Sequence, residues 1–272
     1  MTDLIRAHDA QAYREFCALF ERYGGTPVDY LSDHYQRFAT TLNEFQSTWE
    51  HDGRRVLDIG AHWLHQSVMW RMAGFDVSAV DLPGTFQAEN VKNIAQALGI
   101  PLIPCADLER ADELAALPDN SADIVLFTEI IEHITFNPIA FWRQVHRILA
   151  PGGRIVVTTP NYYSWKGRAW QFMRYLRGMG GGISVGEILH THTYAHHWRE
   201  YSRREVLEYF RLLSPDFVPV KARLMPTYMR SAVRWKNVAQ RTLDLMPLLR
   251  PNLHIEIALP SKNHGIVVTA SW

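Results

Sequence analysis

An α/β fold, with a seven-stranded, mostly parallel sheet and helices on both faces, is the class that this 272-residue sequence predicts. Three observations predict it. From Arg54 onward, short β-branched runs alternate with longer stretches of helical period, the pattern of parallel strands joined by covering helices. Apolar residues make up 47% of the chain, enough for one large core at this length. Four strand-like runs lead into Asp or Glu at their carboxyl ends, where ligands sit in an open parallel sheet.

The elements follow in order. Tyr13, Phe16, Leu19 and Phe20, then Tyr35, Phe38, Leu42 and Phe45, recur at helical spacing. Residues 1–52 are therefore expected to form a helical cap lying as a lid over the open top of the sheet, and residues 53–272 the ligand-binding domain. Strands are expected at about 54–59, 75–80, 100–103, 123–127, 153–158, 217–224 and 264–270. Between them, Val91, Ile94, Ala95 and Leu98, and later Ile139, Trp142, Val145, Ile148 and Leu149, mark buried helix faces. Ala150-Pro151-Gly152-Gly153 closes the second of these helices, because Pro cannot continue it and Gly accepts the turn. Insertions are expected at about 161–200, where aromatics, glycines and histidines replace any period, and at about 225–255. Loops of such length are usually functional.

Composition excludes several classes. No window approaches the roughly 18 consecutive apolar residues of a membrane span, and MTDLIRAHDAQAYREF shows neither a basic leader nor an apolar core. A cytoplasmic location is expected, with Cys17 and Cys105 reduced and far apart in sequence. Net charge is zero, which argues against a surface evolved for nucleic acid. The charge is nevertheless uneven. Between Tyr162 and Gly180 it comprises Lys166, Arg168, Arg174 and Arg177 with no acid; from Lys221 to Arg250 it comprises seven bases against Asp244 alone. An anionic partner, such as a phosphate, a nucleotide sugar or a lipid surface, would suit that late region, and so would acids of the first half facing it.

At the strand ends, Asp58-Ile59-Gly60 closes the first strand, Asp81 follows Asp58 by about the twenty residues that set a carboxylate against ribose hydroxyls, Asp107 follows the third strand, and Thr128-Glu129 the fourth. In that order VLDIG, AVDLP, CADLE and RILAPGGRIVVTTPN resemble the motifs of class I S-adenosylmethionine-dependent methyltransferases, whose fold is Rossmann-like. The resemblance covers roughly Arg54 to Thr159, and more weakly His197 to Phe217. It implies S-adenosylmethionine as cofactor, with Asp81 on the ribose hydroxyls, Asp107 on the adenine amino group, Leu82 and Leu108 flanking the purine, Asp58, Gly60, Ala61 and His62 along the methionine part, and Thr128 beside them. Ala61, His62 and Leu64 stand where the family often has Ala, Gly and Gly. A dinucleotide site needs repeated glycines for its pyrophosphate, so this loop weakens an NAD reading more than a sulfonium one. Trp63 and His65 are expected as packing at the start of the next helix.

Methyl transfer to oxygen needs alignment and a base. Glu129, Glu132 and His133 lie three and four residues apart, expected on one side of a helical turn, with His133 as general base. ExxEH followed by His197 is similar to the two-Glu, two-His metal site of methyltransferases that modify the 3'-terminal 2'-hydroxyl of small RNAs, where a divalent ion would activate the hydroxyl. Similar strings also occur among bacterial methyltransferases of quinones, sugars and glycolipids. Of the cluster His190, His192, His196 and His197, the last, with Tyr201, is expected to approach substrate. Nothing after Thr128 resembles the Asn/Asp-Pro-Pro-Tyr signature of nucleobase amino-group methylation, which favours oxygen. The expected activity is O-methylation of a small-molecule or saccharide-like acceptor, anionic groups on it being compatible with the basic region, and contact with a membrane surface with the aromatic one. Metal-dependent RNA-end methylation and a non-enzymatic S-adenosylmethionine or nucleotide sensor are the alternatives.

Overall fold

The computed structural model describes residues 9–25, 28–179 and 182–270. Its strands are β1 Arg55–Ile59, β2 Asp76–Asp81, β3 Leu102–Pro104, β4 Ala122–Thr128, β5 Leu149–Pro160, β6 Val218–Met225 and β7 Asn252–Leu259. Alternation along each strand separates two apolar layers, because successive Cβ atoms leave a strand on opposite sides. Val56, Val77, Ala79, Ile124 and Leu126 enter one cluster, and Leu57, Ile59, Val80, Val125 and Phe127 the other. Both layers are buried, as a parallel sheet requires.

Among the described residues the strand order is β3-β2-β1-β4-β5-β7-β6, a seven-stranded Rossmann-like sheet in which only β7 runs against the common direction. The order reverses between β1 and β4, the switch point at whose carboxyl ends a sheet of this kind takes its ligands.

Helices α1 (Ala10–Arg22), α2 (Val28–Gln46) and α3 (His65–Met72) cover the first layer. Asp9 caps α1, its carboxylate accepting from the amides of Gln11 and Ala12 at 2.8 and 3.1 Å. Phe16, Phe20, Tyr35, Phe38, Leu42 and Phe45 then pack with Val68, Met69 and Trp70 of α3 in one continuous cluster. The amino-terminal half of α2 reaches the strand tips, where the Tyr30 ring lies 4.8 Å from that of His62. Helices Ile139–Ile148 and Arg203–Leu213 cover the second layer around Trp142 and Phe210, the latter opened by a Ser202–Glu205 capping box.

The seventh strand is Asn252–Leu259 and not the run at 264–270, so the insertion expected to reach about 255 ends where β7 begins. HGIVVTA is irregular. Asp216 holds its start, accepting from the amides of His264 and Gly265 and from His264 Nδ1, and the Val267 amide donates to the Leu213 carbonyl. His254 and Glu256 of β7 are both fully buried. They are buried because their partners are: Glu256 pairs with Arg154 at 2.7 Å, Lys221 at 3.0 Å and His254 at 2.9 Å. Glu44 near the end of α2 adds ion pairs to Lys221 and Arg223 at 3.6 and 3.0 Å, tying the helix to the sheet edge.

Burial raises the pKa of Glu256, but the hydrogen bonds from His254, Lys221 and Arg154 outweigh it and hold the carboxyl below its ordinary value. Glu256→Ala is expected to cost about 3–5 kcal/mol in urea unfolding, since it strips a partner from buried cations. The folded pKa lies below the unfolded one, so this stability is present above about pH 4.3 and is lost as pH falls through the folded value. The gap between wild type and variant should therefore narrow in acid.

Candidate active site

The turn after β1 is built without the usual glycines. Gly60 has φ 79°, and a Cβ there would stand 2.1 Å from Ile130 Cδ1, so Ile130 closes over the turn. His62 and Leu64 then adopt φ 48° and 64° although neither is Gly. Asp81 holds this shape: its Oδ2 accepts the His62 amide at 2.7 Å, while Oδ1 accepts the Leu82 amide at 2.7 Å and the Thr85 hydroxyl at 2.8 Å. Oδ2 keeps a lone pair for a ligand. Ala61 and Leu64 are buried, His65 is buried against Phe20 and Tyr30, and Trp63 packs on the same cluster.

Asp58 is buried beneath the turn, accepting from Ser67 Oγ at 2.6 Å. Burial above all raises its pKa to about 7, with Asp81 adding to the effect and the Ser67 hydrogen bond opposing it. Thr128 donates to Gln66 Oε1 at 3.1 Å. Asp107 is exposed, with Oδ1 accepting the Glu109 amide at 2.8 Å, and Leu108 packs on the second cluster.

Glu129, Glu132 and His133 do not share one side of a helical turn. Glu129 takes a left-handed φ of 56°, and only the single 3₁₀ turn Ile131–His133 follows it. Glu129 thereby faces α2, where Oε2 meets Arg37 Nη1 at 3.1 Å. Glu132 is fully buried, Oε2 accepting from Thr159 Oγ1 at 2.9 Å; burial, then the nearby Glu129, raises its pKa well above the carboxylate range.

His133 joins His197 instead, their rings edge to face at 4.7 Å. His133 Nδ1 lies 3.0 Å from the His196 carbonyl, an acceptor, so the proton sits on Nδ1 and Nε2 is left free. Burial, followed by His197, lowers its pKa to about 4. Ligand atoms of Glu132, His133 and His197 all lie within 4.8 Å of one another, and Glu129 is outside this group. The donor set fits a divalent cation: one carboxylate and two imidazoles, with a second-shell carbonyl orienting His133. Arg168 holds the segment carrying His197, donating to the carbonyls of His197 and Trp198 and pairing with Glu200. His196 is buried, with Nε2 3.0 Å from the Glu187 carbonyl, while His190 and His192 are exposed. Tyr201 bridges to Asn161 beside this segment.

Sequence reasoning missed several neighbours. Arg37, Tyr30 and His34 come from one face of α2, at three- and four-residue spacing that reads simply as amphipathic helix. His34 is half-buried, and that desolvation, followed by the charge of Arg37, lowers its pKa to about 4. Tyr228 follows β6 and lies within electrostatic reach of Glu129 and Arg37. Arg37 Nε, Glu129 Oε1, Glu132 Oε1 and the Tyr228 hydroxyl are all buried without a hydrogen-bond partner among the described residues. Such orphaned groups at one place mark a ligand site.

Sheet order, switch point and acidic strand ends are the arrangement that an S-adenosylmethionine-dependent enzyme would need, and comparison shows the class directly. Residues 30–209 match the Methyltransferase domain family, and the chain belongs to it. It is a class I S-adenosylmethionine-dependent methyltransferase. It is 35% identical over 115 residues to a ubiquinone biosynthesis O-methyltransferase of Caulobacter sp. (strain K31), a stretch amounting to 40% of this chain and 42% of that protein. The match thus spans less than half of that relative. Among solved structures, a chain of the Haloferax volcanii complex between the Trm112 methyltransferase activator and a methyltransferase aligns with TM-score 0.57 at 14% identity, covering 91% of this chain and 98% of that one. Geranyl diphosphate C-methyltransferase from Streptomyces coelicolor A3(2), solved with Mg2+, geranyl diphosphate and S-adenosyl-L-homocysteine, aligns with TM-score 0.52 at 14% identity, covering 95% and 88%. At that identity the likeness is one of fold. No helix among the described residues is long and apolar enough to cross a membrane.

His133 is expected to titrate near pH 4 by NMR of its ring protons, and not near 6.5. Because the unfolded chain takes up this proton first, stability should fall as pH drops from about 6.5 towards 4. A midpoint near 6.5 would contradict the partly buried, His197-facing environment.

Proposed function

We propose that this methyltransferase acts on a hydroxyl of a small molecule held between the turn after β1 and the Glu132–His133–His197 group. The observation that carries the reading is the set of orphaned polar atoms of Arg37, Glu129, Glu132 and Tyr228 around the carboxyl ends of β1 and β4. Opposite charges on Arg37 and Glu129 suit the carboxylate and amino group of the cofactor's methionine end, above Gly60, Ala61 and His62, once the flexible tip of Ile130 swings aside. Asp81 would take the ribose hydroxyls through Oδ2, and Asp107 the adenine amino group, with Leu82 and Leu108 beside the purine and Asp58 and Thr128 supporting the crevice from below. Bound there, the cofactor supplies a methyl group already activated by its sulfonium. The chain's task is then to align the acceptor and hold its proton.

His133 presents Nε2 as an acceptor, but its depressed pKa makes it a weak base. Against a phenol-like hydroxyl of pKa about 10, a base held below the ordinary imidazole value leaves full proton transfer strongly uphill. A divalent cation on Glu132, His133 and His197 would occupy that Nε2 lone pair and instead lower the hydroxyl's own pKa, so that the proton would leave to solvent and not to His133. The metal-dependent RNA-end reading expects Glu129 as a fourth ligand, and the Arg37 pairing of Glu129 disfavours it. The Caulobacter relative is likewise an O-methyltransferase by name, of ubiquinone biosynthesis.

S-adenosylhomocysteine release in the presence of phenolic and sugar hydroxyl acceptors tests the reading. Chelator is expected to abolish turnover and Mn2+ or Mg2+ to restore it; full rate in chelator would leave His133 without a metal. His133→Ala and His197→Ala should each lower turnover by about 10²-fold with little change in cofactor affinity. Asp81→Ala should weaken cofactor binding by about 1–3 kcal/mol in calorimetry, through lost charge-assisted hydrogen bonds to a diol. Unchanged affinity would remove Asp81 from the ribose.

A further inference from the structure

Two exposed segments meet at the active-site end of the sheet. After β5, the side chains of Trp170, Phe172, Tyr175 and Leu176 stand in solvent, Tyr175 by 75%. After β6, helix Arg234–Asp244 and the turn that follows expose Trp235 and Leu245, the latter by 79%. The segments touch: the Trp165 amide donates to the Leu249 carbonyl at 3.1 Å, and Asn161 Nδ2 to the carbonyls of Leu248 and Arg250 at 2.9 and 2.8 Å. A cleft of about 310 Å3, lined in part by Trp165, Lys166, Met229 and Arg230, runs between them. Scattered exposed apolar residues are ordinary, but adjoining runs of them mark an interaction surface.

Charge names the partner. Lys166, Arg174 and Arg177 interleave the first run, and Arg234, Lys236 and Arg241 the second; among the described residues none of them has an ion-pair partner. Glu200 and Asp244 are already engaged by Arg168 and Arg230, which leaves Glu187 as the acid of these segments facing solvent. Lys166 and Lys236 lie over the rings of Trp165 and Trp235 at 4.6 and 5.6 Å. A second copy of this chain in a two-fold contact would set cations against cations. Rings and aliphatic chains entering a headgroup layer while cations meet lipid phosphates satisfies both sets of groups.

We propose that this face docks on the surface of an anionic lipid bilayer. Arg168 joins the docking segment to the backbone of His197 and Trp198, so the mouth of the active site is carried to the membrane with it. Delivery of the site to a membrane-dissolved acceptor rests on the proposed O-methylation; docking itself does not.

Flotation of the full chain with vesicles tests it. The protein should float with phosphatidylcholine vesicles containing about one part in three phosphatidylglycerol, remain in solution with phosphatidylcholine alone, and be released at about 1 M salt, where the screening length is ~3 Å. The double variants Arg174→Gln with Arg177→Gln, and Tyr175→Ser with Leu176→Ser, should each lower partition by about tenfold, with calorimetric S-adenosylmethionine affinity unchanged. No flotation on anionic vesicles, or equal partition of wild type and variants, overturns the proposal. So does a stable dimer by light scattering that Tyr175→Ser with Leu176→Ser dissociates. Failure of the O-methylation reading would appear in turnover assays and leave flotation intact.

Discussion

The grip of the Asp81 carboxylate on the His62 amide is the interaction on which the site depends. Two residues of the turn after β1 adopt left-handed backbone without being Gly, a conformation costing roughly 1–2 kcal/mol each. A charge-assisted hydrogen bond from the next strand and complete burial of Leu64 offset that cost. The same carboxylate caps the turn after β2 through Leu82 and Thr85. One side chain thus shapes both turns at the switch point.

Around those turns the titratable groups are sorted by burial and by neighbours. His34, His62, His65 and His133 are all pushed towards neutrality, mainly by desolvation, while Arg37 faces Glu129 at 3.1 Å. A neutral His133 beside a protonation-prone Glu132 accepts a hydrogen bond and can hold a cation with His197, but removes a proton poorly unaided. Fold likeness alone could not distinguish these chemistries, because one sheet hosts many.

Much of the architecture was legible because it follows from local pattern. Strands β1, β2, β4 and β5 show as apolar β-branched runs, and helix Ile139–Ile148 as a buried stripe ending in Pro-Gly-Gly. β7 was not, since two of its residues are polar and become buried only by meeting Arg154 and Lys221, which lie 102 and 35 positions away. The β-branched run at 264–270 looked the better strand, yet Asp216 and Leu213 hold it outside the sheet. At the site, Glu129 was expected beside His133 from spacing, and a single left-handed residue turned it to α2. Arg37 and Tyr228 carried no motif at all.

The order of acidic strand ends, and with it the family and its cofactor, is written in the chain because each acid needs only its own strand to place it. Which side chains face the acceptor was decided by tertiary packing: α2 laid against α3, the segment 197–201 tied down by Arg168, and Tyr228 brought in by β6. These contacts join residues far apart in sequence, and their energies come from burial and pairing that exist only once the sheet has formed.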